Sequence, residues 1–142
     1  MVVPPVEAQR AIKVAEGDTD EVRILDATLY LAERMAEVPV MVIPCLDFKP
    51  GPSLPFVWTA SMLASIYPAV WSFQLALRSR GLGSVLTTAH LLDDSLVGRL
   101  LEIPDNYTQT CLIPVAYTIG TDFRPAPRHP VSDVIEWNRF AK

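Results

Sequence analysis

Polar and apolar positions between residues 20 and 37 follow a helical repeat, with apolar side chains at steps of three and four. Acidic residues at 20 and 21 suit the start of that helix through capping and the helix dipole. The preceding residues 1–19 are mixed and polar, so they predict a loose lead-in with room for a short helix. Two apolar runs, 38–48 and 110–118, predict buried strands.

Prolines and glycines divide the remaining chain. Residues 49–55 hold three prolines and a glycine and predict a loop. A long helix is predicted from about residue 64 to Arg80, with Ser65 as N-cap and Pro68 in the first turn. It is apolar on nearly every side, so it needs cover from its own sheet and from a neighbouring chain.

A third helix is expected from Asp93 or Asp94 to about Leu101, and the tail after Gly120 is expected to be extended with a strand or short helix near 131–140. No repeat or low-complexity tract divides the chain. Residues 1–142 therefore predict one domain.

The composition bears on which partners this protein can bind. Half of the residues are apolar, 20% are charged and the net charge is −4, with no basic stripe, so nucleic acid is not expected as a partner. The uncharged run 51–77 is long enough to cross a bilayer, but its prolines and serines favour a helix buried at a subunit interface. A membrane helix remains the alternative reading, and our expectation is no membrane.

Cys45 and Cys111 lie inside apolar runs and form no CxxC or metal-type spacing. They predict buried, reduced thiols and a cytoplasmic location. A metal site would need further His or Cys residues near His90, which we interpret as a loop histidine, so no metal is expected.

Two segments carry candidate chemistry. GLGS at 81–84 is weak as a dinucleotide loop; its glycines end a helix or let backbone approach a flat ligand. The tail DFRPAPRHP holds Arg124 and Arg128 between prolines, and it predicts either a solvated basic turn or an anion site.

The order of these pieces resembles the nitroreductase family of FMN-dependent flavoproteins. The resemblance covers most of residues 23–142 and lies in ASIYPAVWSFQLALRSRGLGSVLTTAHLL, then LLEIPDNYTQTCLIPVAYTIG, then FRPAPRHPVSDVIEWNRF. It implies an α+β fold, a mainly antiparallel sheet wrapped by helices, and a homodimer with flavin sites at the subunit interface. It also implies an oxidoreductase that uses NAD(P)H and FMN to reduce nitroaromatics, quinones or similar small aromatic acceptors.

By the same resemblance, Leu86, Thr87 and Thr88 run beside the flavin ring, and Gly83 and Ser84 lie at the turn leading to it. No catalytic acid or base is singled out.

The phosphate is assigned through the same resemblance to Arg128, with Arg124 in support. The family's Arg-Arg-Ser-x-Arg segment is not found in MVVPPVEAQRAIK, so we expect an N-terminally shortened member. Two alternatives stay open: a catalytically weak or flavin-sequestering member of the same fold, and a small membrane or interaction protein built around 57–77.

Overall fold

The structure is a computed structural model that describes residues 3–120, 122–125 and 128–140. In this part of the chain the helices are α1 (Val3–Glu16), α2 (Thr19–Arg34), α3 (Phe56–Arg78) and α4 (Asp94–Leu100). The strands are β1 (Val40–Val42), β2 (Cys45–Leu46), β3 (Leu82–Ser84), β4 (Thr108–Gln109) and β5 (Ile113–Tyr117). Short 3-10 turns span Met35–Glu37, Ala89–Asp93 and Val131–Asp133. The α+β class predicted from the sequence is confirmed.

Strand β5 is the centre of the main sheet, which has the order β1-β5-β3 with both pairings antiparallel. Beyond β3 the same register resumes where Thr87 and Leu112 exchange two backbone hydrogen bonds of 2.9 and 2.8 Å. Between these points that register sets Pro114 opposite Val85. Pro114 has no N–H, so the ladder bond at Val85 cannot form and the strand is interrupted there.

The core is small and lies between α3 and β5. Val70 of α3 packs with Cys111, Ile113 and Val115, and Cys111 and Ile113 are fully buried. The partly buried side chains around this cluster are Val42, Ile66, Tyr67, Leu77 and Leu82. One face of α3 therefore anchors the helix to the central strand.

The structure differs from the predicted strand at 38–48, which is split into β1 and β2. The break falls at Pro44, which cannot donate to a ladder. Its carbonyl instead accepts hydrogen bonds from the backbone N–H and the hydroxyl of Thr110, at 3.0 and 2.9 Å. The two halves consequently pair with different strands, β1 with β5 and β2 with β4.

The predicted start of the long helix near residue 64 is wrong. Helix α3 begins at Phe56, directly after Pro55, and Pro68 lies inside it. Ser65 caps nothing, because its hydroxyl donates to the Met62 carbonyl at 2.7 Å. No glycine or proline occurs between Phe56 and Pro68, so nothing there would end the helix. A helix that stopped at Pro68 would lose more backbone hydrogen bonds than the one that the proline removes.

Substitution of Ile113 tests the core. Ile113→Ala removes buried methyl groups beside α3, and we expect the free energy of unfolding to fall by about 2–5 kcal/mol. Urea unfolding at one fixed protein concentration measures the change. Val131→Ala, which shortens a side chain that is 65% exposed, is the control and should change stability by less than about 0.5 kcal/mol. Equal effects of the two substitutions would contradict this core.

Candidate functional site

A mainly apolar cavity of about 510 Å³ opens between α2, α3, β3 and β5. Cofactor and ligand sites typically have volumes of roughly 300–1,000 Å³ and apolar walls. The lining residues are Leu31, Val38, Trp71, Gln74, Leu75, Arg78, Leu82, Gly83, Ser84, Val85, Pro114, Ala116, Thr118 and Phe123. We call this space the sheet cavity.

The sheet cavity includes the face of β5 that the core does not use. Ile113 and Val115 face the core, so the alternation of side chains along the strand turns Pro114 and Ala116 to the other face. Gly83 lies opposite Ala116 and shares that face. One strand thus supplies both the core and a wall of the cavity.

Gly83 is required by its neighbour in the sheet. A Cβ at this position would lie 2.2 Å from Cγ2 of Thr118, far inside contact distance. Thr118 is held in place because its hydroxyl donates to the Gly120 carbonyl at 2.8 Å. The sequence allowed that this glycine lets backbone approach a flat ligand; in the structure the space beside it holds the Thr118 methyl group.

Polar groups converge on the sheet cavity from α3 and β3. The Gln74 amide nitrogen donates to the Ser84 hydroxyl oxygen at 3.3 Å, which joins the helix to the strand. At the other side, the Arg78 guanidinium lies 4.7 Å from the centre of the Phe123 ring. Such a cation–π contact brings the first part of the tail to the cavity wall.

The segment predicted to run beside the ring follows directly on the cavity wall. Val85 lines the cavity, and Leu86, Thr87 and Thr88 come next without lining it. Thr87 is fixed by its two backbone bonds to Leu112. Leu86 and Thr88 are exposed, on the side of the extended segment away from Thr87.

The other predicted site residues divide between the cavity and the tail. Gly83 and Ser84 line the sheet cavity. Arg124 is exposed and follows Phe123, which does line it, so this cation lies close to the wall. Arg128 is also exposed but is not a lining residue.

Sequence reasoning missed the contribution of α3 to the cavity. Trp71, Gln74, Leu75 and Arg78 are spaced at steps of three and four and therefore share one helix stripe. The detectable signal was a pair of polar residues, Gln74 and Arg78, in the same stripe of a helix that is otherwise apolar.

His90 lies in the 3-10 turn Ala89–Asp93 rather than in an irregular loop. Both of its ring nitrogens are buried, and neither has a hydrogen-bond partner among the described residues. Burial lowers the pKa of the imidazole, and the nearby Asp94 carboxylate opposes that shift. Burial therefore favours the neutral form of the ring.

A second cavity, of about 580 Å³, lies between α4 and the turn at 103–107. Charged side chains of both signs surround it: Lys49, Asp94, Arg99, Glu102 and Asp105. Across the described residues, no three His, Cys, Asp or Glu side chains cluster in a way that could hold a metal ion.

Comparison with known families supplies an independent finding. The family model described as Nitroreductase family matches residues 3–117, about four-fifths of the chain. The match ends at the last residue of β5, so Arg124 and Arg128 lie beyond it. No curated protein matches the sequence.

A double-substitution experiment tests the packing at Gly83. Gly83→Ala should lower the free energy of unfolding by about 1–3 kcal/mol, because the new methyl group overlaps Cγ2 of Thr118. Thr118→Ser removes that Cγ2 and keeps the hydroxyl that donates to Gly120. In the Thr118→Ser background the Gly83→Ala loss should largely disappear in urea unfolding. The same loss in both backgrounds would place the conflict elsewhere.

The buried imidazole predicts a pH dependence of stability. Because burial lowers the pKa of folded His90 below its ordinary 6.5, the unfolded chain binds more protons as pH falls. Stability should be complete above that ordinary pKa and decline progressively as pH falls below it. His90→Phe should flatten this decline in unfolding measured from about pH 8 to about pH 5, whereas His129→Gln, in the exposed tail, should not. An unchanged slope in His90→Phe would contradict the burial.

Proposed function

From its membership of the nitroreductase family, whose members are flavin-dependent oxidoreductases, we propose a function for this chain. It uses FMN and NAD(P)H to reduce a small aromatic acceptor such as a nitroaromatic or a quinone. One observation carries the proposal: an apolar cavity, large enough for a flat ring, lies beside Gly83 and Ser84.

The residues around the sheet cavity suit a flavin ring. Trp71 and Phe123 contribute aromatic side chains to its lining, and Leu75, Val85 and Pro114 add apolar surface. A flat aromatic ring gains by packing against such side chains and by leaving water. The fit therefore supports the ring of FMN as the occupant.

The tail arginines suit the phosphate of FMN. Arg124 and Arg128 are exposed cations on a chain whose formal net charge is −4. A guanidinium binds a phosphate through two parallel charge-assisted hydrogen bonds. We propose Arg128 as the main phosphate contact and Arg124 as its support.

The flavin supplies the hydride chemistry when it is bound, and the protein positions it. We propose that Leu86, Thr87 and Thr88, which follow Val85 at the end of the cavity wall, run beside the edge of the ring. The two backbone hydrogen bonds between Thr87 and Leu112 hold this segment in place when the ligand binds. No side chain is proposed as a general acid or base.

We propose that the active form is a homodimer. One chain exposes 11102 Å², whereas a compact monomer of 15.7 kDa exposes roughly 7,300 Å². The excess of about 3,800 Å² per chain is larger than one partner's half of a typical obligate interface, which buries roughly 2,000–5,000 Å² over both partners. Along α3, Phe56, Val57, Trp58 and Trp71 are all more than half exposed. A second copy packed on α3 would cover them.

Helix α3 alone among the described helices is long and apolar enough to cross a membrane by length and composition. We propose a cytoplasmic location instead, because one side of α3 is already packed on β5 through Val70. Two free thiols, Cys45 and Cys111, are compatible with a reducing compartment, and burial raises the pKa of both. Recovery of the chain in the membrane fraction of lysed cells would contradict this location.

Sedimentation of the purified protein after addition of FMN tests the proposal. We expect one species of about twice the 15.7 kDa chain mass, with the flavin's visible absorption moving with the protein. Addition of NADH or NADPH should bleach that absorption, and an acceptor such as a quinone should restore it. A flavin-bound dimer that is never bleached would instead be the flavin-sequestering alternative. Protein that takes up no FMN would defeat the proposal.

Substitution in the tail tests the phosphate contact. Arg128→Ala should weaken FMN binding by about 1.5–3 kcal/mol through loss of charge-assisted hydrogen bonds, or roughly tenfold to 150-fold. Riboflavin, which lacks the phosphate, should bind wild type and variant equally. Arg139→Ala removes the same charge farther along the exposed tail and serves as the control. If Arg139→Ala and Arg128→Ala weaken FMN binding equally, the effect comes from the net charge of the tail and not from a specific contact with the phosphate.

A further inference from the structure

Gln74 and Ser84 form a polar pair in the wall of the otherwise apolar sheet cavity. Gln74 comes from α3 and Ser84 from β3, and they are joined by the 3.3 Å bond from the amide nitrogen to the hydroxyl oxygen. Both side chains are half-buried. In this bond the amide nitrogen of Gln74 faces Ser84, and the carbonyl oxygen Oε1 lies on the other branch of the amide.

In this arrangement the pair keeps one carbonyl acceptor and two donors, which are the second amide N–H of Gln74 and the hydroxyl hydrogen of Ser84. The Gln74 carbonyl oxygen, Oε1, receives no hydrogen bond from the described residues, so it remains an acceptor. The Ser84 hydroxyl accepts from Gln74, and its own hydrogen has no acceptor among the described residues. An acceptor and a donor therefore stand side by side on one cavity wall.

A neighbouring acceptor and donor match a neighbouring N–H and C=O, which is the edge of a cyclic amide or imide. A ligand that enters the cavity displaces water from this pair. If it lacks either partner group, a polar atom stays unpaired in apolar surroundings, and such mismatches discriminate far more strongly than a change in apolar contact.

We infer that Gln74, held by Ser84, is the specificity-determining residue of the sheet cavity and that it selects flat rings with an adjacent ring N–H and C=O. The inference rests on the proposed function, in which the cavity takes the flavin ring. The pyrimidine part of that ring carries such an edge at its N3–H and the flanking carbonyls. A purely hydrocarbon aromatic ring of the same size carries none.

The ligand itself supplies the sharpest test. FMN and N3-methyl-FMN differ in one group, because a methyl group replaces the N3 hydrogen that would donate a hydrogen bond to Gln74 Oε1. Both are titrated into the purified full chain, with binding followed by flavin fluorescence. Wild type should prefer FMN by about tenfold or more, since the methyl analogue leaves Gln74 unpaired.

Variants assign that preference to the pair. Gln74→Leu replaces the amide by a branched apolar side chain that is one bond shorter, and its preference should fall to within about twofold. Ser84→Ala removes the group that orients Gln74 and should reduce the preference in part, so it provides a second reading if Gln74→Leu folds poorly. Ser72→Ala is the matched control, because that hydroxyl donates to the Pro68 carbonyl at 2.9 Å and does not line the cavity.

The outcomes separate this inference from the proposed function. Tight binding of both flavins by wild type would overturn the role of Gln74 and leave the flavin site standing. An undiminished preference for FMN in Gln74→Leu would do the same. Failure of wild type to bind either flavin would overturn the proposed function and the inference with it.

Discussion

The packing of α3 on the central strand is the contact on which the rest of the structure depends. Val70 meets Cys111, Ile113 and Val115, and these residues make up the buried core of the described chain. Because side chains alternate along β5, fixing one face against α3 also fixes the opposite face, where Pro114 and Ala116 line the sheet cavity. Core and candidate site therefore share one strand, and a change in the register of β5 would disrupt both.

So small a core also limits the stability that a single chain can reach without a partner or a ligand. Large apolar side chains remain exposed on every described helix, and the accessible area far exceeds that of a compact monomer of this mass. Cover by a second copy and filling of the cavity by a ring would both stabilise the folded state. Stability, assembly and flavin binding are consequently expected to be coupled rather than independent properties of this chain.

The sequence was sufficient where local chemistry decides the structure. The helix predicted near 20–37 forms as α2 with Asp20 and Glu21 in its first turn, although Asp18 and not either of them is the cap. Asp93 caps α4, and Gly81 follows α3 with a positive φ of 76°. Sequence failed where tertiary packing decides, as at the start of α3. A preference scale penalises Pro68 in a helix, but it contains no information about what the helix packs on.

The candidate site shows the same division. Gly83 and Ser84 were singled out by resemblance, whereas Gln74 was overlooked, because its partner lies ten residues away on another element. The charged cavity beside α4 was also unforeseen, since its walls come from separate segments. Sequence patterns identify which residue types are available; the fold decides which of them meet.

Hydrogen–deuterium exchange with and without FMN tests the central claim most directly, because it reports where the ring binds without altering the protein. We predict slower exchange on FMN addition in segments 81–88 and 113–118, which contribute to the sheet cavity and its rim. Segment 94–107, beside the charged cavity, should be unaffected. Protection confined to 94–107, or none at 81–88 in protein saturated with FMN, would contradict it.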